Sequence, residues 1–140
     1  MSPYHIVLAD DHVLLRRQVK RILASTGDLE VVGEAGDGQD LLDMLDKARP
    51  GTDMVILDIS MPKLTGLQAT RRIKRDHPGL KILILTVHRE TAYLNEAFSA
   101  GAEGYLLKDD ADRELFSAIE TIRGGGTYVS PFFRGRAGTA

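Results

Sequence analysis

The chain has 140 residues, 43% apolar and 27% charged, with a net charge of −2 and no cysteine. That length favours one domain with a real hydrophobic core, and the near-neutral charge gives no global electrostatic basis for holding nucleic acid. The lack of cysteine excludes disulfides, thiolate catalysis and cysteine-held zinc or iron–sulfur sites. No stretch approaches the roughly 20 apolar residues that span a membrane. The start, Met1-Ser2-Pro3-Tyr4-His5, lacks the basic-then-apolar pattern of a signal peptide, so the sequence predicts a cytoplasmic protein with no membrane partner.

Tyr4–Ala9 is a short apolar run that ends in Asp10-Asp11. Leu15, Val19, Ile22 and Leu23 then recur at helical spacing, and Gly27-Asp28 closes that helix. Leu29–Ala35 reads as a strand and Gly36-Asp37-Gly38 as a turn. The next helix is predicted over 39–48, with Leu41, Leu42 and Leu45 inward and Arg49-Pro50-Gly51 ending it. Met54–Leu57 is a four-residue apolar run that leads into Asp58 and is soon stopped by Pro62, the pattern of a strand buried on both faces. A helix after Gly66 turns Ala69, Thr70 and Ile73 inward and breaks at His77-Pro78-Gly79. Residues 80–85 form another buried strand ending in Thr86, and the helix over 90–100 places Leu94, Ala97 and Phe98 inward. A short strand over 105–107 ends in Lys108, and Ala111–Arg123 closes the pattern with Leu115, Ala118, Ile119 and Ile122 inward. The tail from Gly124-Gly125-Gly126 to Ala140 shows no period and reads as a linker.

Five βα units in strict alternation imply a parallel sheet, helices on both faces and right-handed crossovers. All strand ends then meet at one edge, where open α/β sheets bind ligands. Asp10, Asp11, Asp58, Thr86 and Lys108 are expected to converge there. Three carboxylates gathered at one place repel one another unless a cation sits among them, and hard oxygen donors suit Mg²⁺. A carboxylate can also attack phosphorus to give an aspartyl phosphate, with Lys108 and the Thr86 hydroxyl stabilising the other phosphoryl oxygens.

Asp10-Asp11, the strand ending in Asp58 with Met61-Pro62 and Gly66 after it, Thr86, and Gly104-Tyr105-Leu106-Leu107-Lys108 together resemble the receiver domain of two-component response regulators. The resemblance covers about residues 4–123. It implies an α/β, flavodoxin-like (βα)5 doubly wound sheet of strand order 2-1-3-4-5. It also implies that Asp58 takes a phosphoryl group from a sensor histidine kinase, with Thr86 and Lys108 contacting the phosphoryl oxygens. Mg²⁺ would be held by Asp10, Asp11, Asp58 and the backbone carbonyl of Ser60. Thr86 and Tyr105 would act as the switch pair, Tyr105 turning inward as Thr86 moves toward the phosphoryl group. The domain would catalyse only its own phosphorylation and dephosphorylation, and so would not be an enzyme acting on other substrates.

Thr86-Val87-His88 with Tyr93, and the run from Ala100 through Tyr105 to Asp109, further resemble regulators with a LuxR-type (NarL/FixJ-like) helix-turn-helix output. Gly125-Gly126-Thr127-Tyr128-Val129-Ser130-Pro131 resembles the stretch that leads toward that output. The expected organisation is therefore a receiver over 1–123 and a flexible linker over 124–140, with the output domain absent. Homodimerisation on phosphorylation, and DNA contact only through the missing output domain, are the implied partnerships. Ser60 and His88, two residues beyond Asp58 and Thr86, occupy positions that influence how water reaches an acyl phosphate.

Outside these motifs, His5, His12 and His77 form no metal spacing with one another and read as surface or capping residues. Arg71, Arg72, Lys74 and Arg75 read as the solvated face of a helix, and Phe116 with Tyr93 as a partner surface. Two competing readings carry less weight. A metal-dependent phosphatase with an aspartyl nucleophile would be expected to have a second acid near that nucleophile and a substrate-covering cap, which Ser60 and the short loops do not supply. A phosphorylation-independent interaction module would have no use for the complete acidic site.

Overall fold

The computed structural model describes residues 3–47 and 51–134. The predicted end of the second helix at Ala48, Arg49 and Pro50, and residues 135–140 of the tail, lie outside the described residues. The elements run β1 (Tyr4–Ala9), α1 (Val13–Leu23), β2 (Leu29–Ala35), α2 (Gly38–Lys47), β3 (Met54–Leu57), α3 (Gly66–Asp76), β4 (Lys81–Thr86), α4 (Thr91–Ser99), β5 (Gly104–Leu107), α5 (Ala111–Arg123) and β6 (Tyr128–Val129). Single 3₁₀ turns follow β5 (Lys108–Asp110) and β6 (Pro131–Phe133).

The strands pair in parallel in the order β2-β1-β3-β4-β5-β6. Because successive strand residues point to opposite faces, each apolar run feeds two cores. Val7, Val55, Leu57, Ile82, Ile84 and Leu107 pack on one side with α2, α3 and α4. Ile6, Leu8, Met54, Ile56, Leu83 and Leu106 pack on the other with α1 and α5. That double burial is why β3 and β4 read as continuous apolar runs. The inward positions expected on α5 are all buried; on α1, Leu15 and Ile22 are only partly so. Phe116 and Tyr93 are half-buried against opposite faces of the sheet, so they do not form one patch. On α3, Lys74 leaves the solvated face and reaches the Leu80 carbonyl at 2.9 Å and Glu103 at 2.7 Å.

The stretch after Arg123 departs from the expected linker. Tyr128 and Val129 add a sixth strand beside β5, and Phe133 is fully buried against Tyr105, their rings 5.4 Å apart and nearly perpendicular. The physical reason is the open edge of β5, whose backbone groups need partners. Tyr128 N–H donates to the Glu103 carbonyl at 3.0 Å and Ser130 N–H to the Tyr105 carbonyl at 2.9 Å. Two residues are too short a run for periodicity to reveal. Phe133→Ala is expected to lower stability by about 3–5 kcal/mol, the range for truncating a buried aromatic, read as a fall in the urea midpoint. An unchanged midpoint would show that this segment is only a tail.

Candidate functional site

The register of the central strands brings the expected polar residues together. Ala9 pairs with Leu57, Leu57 with Ile84, and Thr86 with Leu107, so the residues just beyond them share one edge. Asp58 N–H donates to the Ala9 carbonyl at 3.1 Å and Asp10 N–H to the Ala35 carbonyl at 3.0 Å, extending the ladder into the site. Asp10 and Asp58 are buried, while Asp11 is exposed at the rim.

Lys108 Nζ lies 2.9 Å from Asp10 Oδ2 and 3.1 Å from Asp58 Oδ2. Burial alone would lower the pKa of this ammonium, but the hydrogen bond to Asp10 and the charge of Asp58 outweigh it and hold it above the ordinary lysine value. The other oxygen of Asp58 accepts the Ile59 N–H at 2.7 Å. Asp10 Oδ1 accepts the His12 N–H at 2.8 Å and lies 3.0 Å from His12 Nδ1. One ligand atom from each of Asp10, Asp11, His12 and Asp58 falls within 4.8 Å of all the others. Three carboxylates at that spacing, with no thiolate among them, are a donor set that fits a hard divalent cation.

His12, read from the sequence as a surface or capping residue, is exposed and also borders the acidic cluster. It does occupy the N-cap position of α1, as a capping role requires, yet its ring faces Asp10 and, at 3.4 Å, Asp11. Its direct adjacency to the acidic pair was the available signal. His5 and His77 stay apart from the site, against the Gly51 carbonyl and Asp46.

Thr86 is fully buried and turns its hydroxyl to the β4–α4 loop, accepting the His88 N–H at 3.4 Å. Tyr105 is fully buried as well, and its hydroxyl donates to the His88 carbonyl at 2.9 Å. Burial, helped by the charges of Glu90 and Asp58, pushes that phenol well above the usual tyrosine range. Ser60 Oγ and His88 Nε2 share a hydrogen bond of 2.8 Å, which ties the loop after β3 to the loop after β4. His88 therefore touches both members of the expected switch pair.

Backbone packing holds Asp58 in place. Gly66 N–H donates to the Ile59 carbonyl at 2.8 Å, and Thr65 caps α3 through reciprocal bonds with Gln68. A Cβ on Gly66 would stand 2.0 Å from the Asp58 carbonyl oxygen.

Residues 6–120 match the family described as the response regulator receiver domain. The chain belongs to that family. It is 41% identical over 127 residues to the transcriptional regulatory protein DegU of Brevibacillus brevis, covering 90% of this chain and 52% of the relative. To the response regulator UvrY of Escherichia coli K12 it is 40% identical over 126 residues, covering 90% and 57%. The chain spans about half the length of the curated relatives it matches. A two-component response regulator of the LuxR family from Aurantimonas sp. SI85-9A1 superposes with a TM-score of 0.86 at 35% identity, covering 93% of this chain and 91% of that one. The non-phosphorylated receiver domain of the stress response regulator RcsB from Escherichia coli gives 0.84 at 29% identity, covering 91% and 98%. This receiver has the flavodoxin-like strand order β2-β1-β3-β4-β5, with β6 paired outside β5.

Gly66→Ala is expected to cost roughly 1–3 kcal/mol in chemical denaturation, because the added methyl meets backbone that cannot move without displacing Asp58. Gly79→Ala, at a position with nothing within 4 Å, is the matched control and should leave the midpoint nearly unchanged.

Proposed function

We propose that this receiver accepts a phosphoryl group on Asp58 from the phosphohistidine of a sensor kinase and switches conformation in response. The observation that carries the reading is the placement of Lys108 between Asp10 and Asp58, with Asp11 at the open rim. In the transfer, an Asp58 oxygen forms a bond to phosphorus while the phosphorus–nitrogen bond of the donor breaks. The electron pair leaves with the donor imidazole. Lys108 is already charged, desolvated and within 3.1 Å of Asp58, so its ammonium stands beside the place where the phosphoryl oxygens develop charge. The Thr86 hydroxyl, at the end of the neighbouring strand, supplies a further hydrogen bond once it turns from the loop.

Asp10, Asp11, Asp58 and the Ser60 carbonyl would hold Mg²⁺, whose charge, when bound, neutralises that of the phosphoryl group. Leu14, 75% exposed, and Val87, 63% exposed, line one groove with His12 and Lys108 and offer an apolar docking face for the protein that carries the phosphohistidine. The domain promotes its own phosphorylation and dephosphorylation, in the cytoplasm. Among the described residues no helix is long and apolar enough to cross a membrane. The output is homodimerisation and control of transcription, with DNA contact assigned to an output domain beyond 124–140, since a net charge of −2 gives this chain no electrostatic claim on phosphates.

Incubation with acetyl phosphate and Mg²⁺ is expected to add one phosphoryl group, about 80 Da by intact mass, in the wild type and not in Asp58→Asn. A gain in the variant equal to that of the wild type would remove Asp58 as acceptor. Mg²⁺ at about 100 times its dissociation constant should stabilise the fold by about 2.7 kcal/mol, and Asp11→Asn should lose most of that gain in thermal unfolding.

A further inference from the structure

The segment that follows α5 lies against the β5 side of the sheet, and its contacts at Ser130, Phe132 and Phe133 end on or next to Lys108, His88 and Tyr105. Leu107 N–H donates to Ser130 Oγ at 2.7 Å, and Leu107 immediately precedes Lys108. The Phe133 ring stands nearly perpendicular to that of Tyr105, whose hydroxyl is bound to the His88 carbonyl, while the His88 N–H reaches Thr86 Oγ1. The Arg89 guanidinium sits 4.8 Å above the Phe132 ring and pairs with Asp109 at 2.6 Å, joining the β4–α4 loop to the turn after Lys108. Ser130 and Phe133 are completely buried, so these contacts form a packed seam.

We propose that residues 128–133 are a strap whose docking reports the state of Asp58, so that the signal leaves the domain through this segment. The proposal rests on the reading of Asp58 as phosphoacceptor and Tyr105 as switch aromatic. In this structure Tyr105 is turned inward and the strap is docked, so the two arrangements support each other. A phosphoryl group on Asp58 that draws the Thr86 hydroxyl away from the His88 N–H favours the inward ring, and with it the seat of Phe133. Coupling of this kind is reciprocal: whatever phosphorylation adds to strap docking, strap docking adds to phosphoryl binding. Ser130 supplies a second path, because any movement of Lys108 toward the phosphoryl oxygens pulls on the Leu107 amide that Ser130 holds.

The test is hydrogen exchange of the whole chain with and without beryllofluoride, a phosphoryl analogue, in the presence of Mg²⁺, with ¹⁹F resonances recording binding. Bound beryllofluoride should slow exchange at the amides of Leu107, Ser130, Phe133 and Arg134 by at least fivefold. Phe133→Leu keeps an apolar side chain but loses the ring packed against Tyr105, and is expected to weaken beryllofluoride binding severalfold; Ser130→Ala should do the same through Leu107. A bound fluoride resonance together with unchanged or faster exchange at these amides overturns the strap and leaves the Asp58 reading standing. Wild-type affinity in both variants overturns the strap as well. No bound resonance at all in the wild type overturns the Asp58 reading, and the strap falls with it.

Discussion

Lys108 Nζ lies within 3.1 Å of carboxylates from two other strands, and the side chains of Lys108, Asp10 and Asp58 are 11%, 7% and 3% exposed. Two desolvated carboxylates at the end of one sheet repel each other and are poorly hydrated; a shared ammonium answers both difficulties. The sheet order makes this demanding, because β4 stands between β5, which carries the lysine, and β3, which carries Asp58. With neighbouring strands about 4.8 Å apart, the four-carbon stem of lysine must pass over the end of β4. The residue that ends β4 is Thr86, a small side chain whose hydroxyl is engaged by the His88 N–H. The same geometry explains why the strand ends stay in register: Ala9, Leu57 and Ile84 form one row, and the row determines where the charges emerge.

The opposite end of the network is aromatic. Tyr105 buries its ring against Phe133 and its hydroxyl against the His88 carbonyl, so one side chain reads both the tail and the loop after β4. His88 in turn holds Ser60 of the loop after β3. Loops that enter the acidic site from two strands are thus bonded to each other before any phosphoryl group arrives. Such cross-links reduce the freedom each loop can lose on binding, the usual way that a site is preorganised.

Much of this arrangement was legible in the amino-acid order. Buried parallel strands announce themselves as short apolar runs, and strict βα alternation admits few topologies, so Asp10, Asp11, Asp58, Thr86 and Lys108 were predictably neighbours. What escaped was set by tertiary contact. Tyr128 and Val129 become a strand only because the β5 edge is there to receive them, and the glycines before them read locally as a spacer. His12 is a local case instead: it carried no metal spacing to other histidines, and its ring meets the acidic pair it directly follows. Lys74, part of a basic helical face by sequence, turns to Glu103 and the Leu80 carbonyl because α3 ends beside the start of β4.

On the reading of Asp58 as acceptor, the bridging lysine also explains why modification would be felt at a distance. A phosphoryl group replaces one negative charge on Asp58 by about two and moves them outward from the strand end. The balance between Asp10 and Asp58 for the Lys108 ammonium then shifts, and the shift acts on a residue whose backbone closes β5. Next to it, the Leu107 amide is held by a fully buried serine hydroxyl, where hydrogen bonds are strong and slack is small. Packed interiors transmit such displacements because their side chains have few alternative arrangements. A charge change at one strand end therefore has a short mechanical route to the segment beyond α5, through one lysine and one amide.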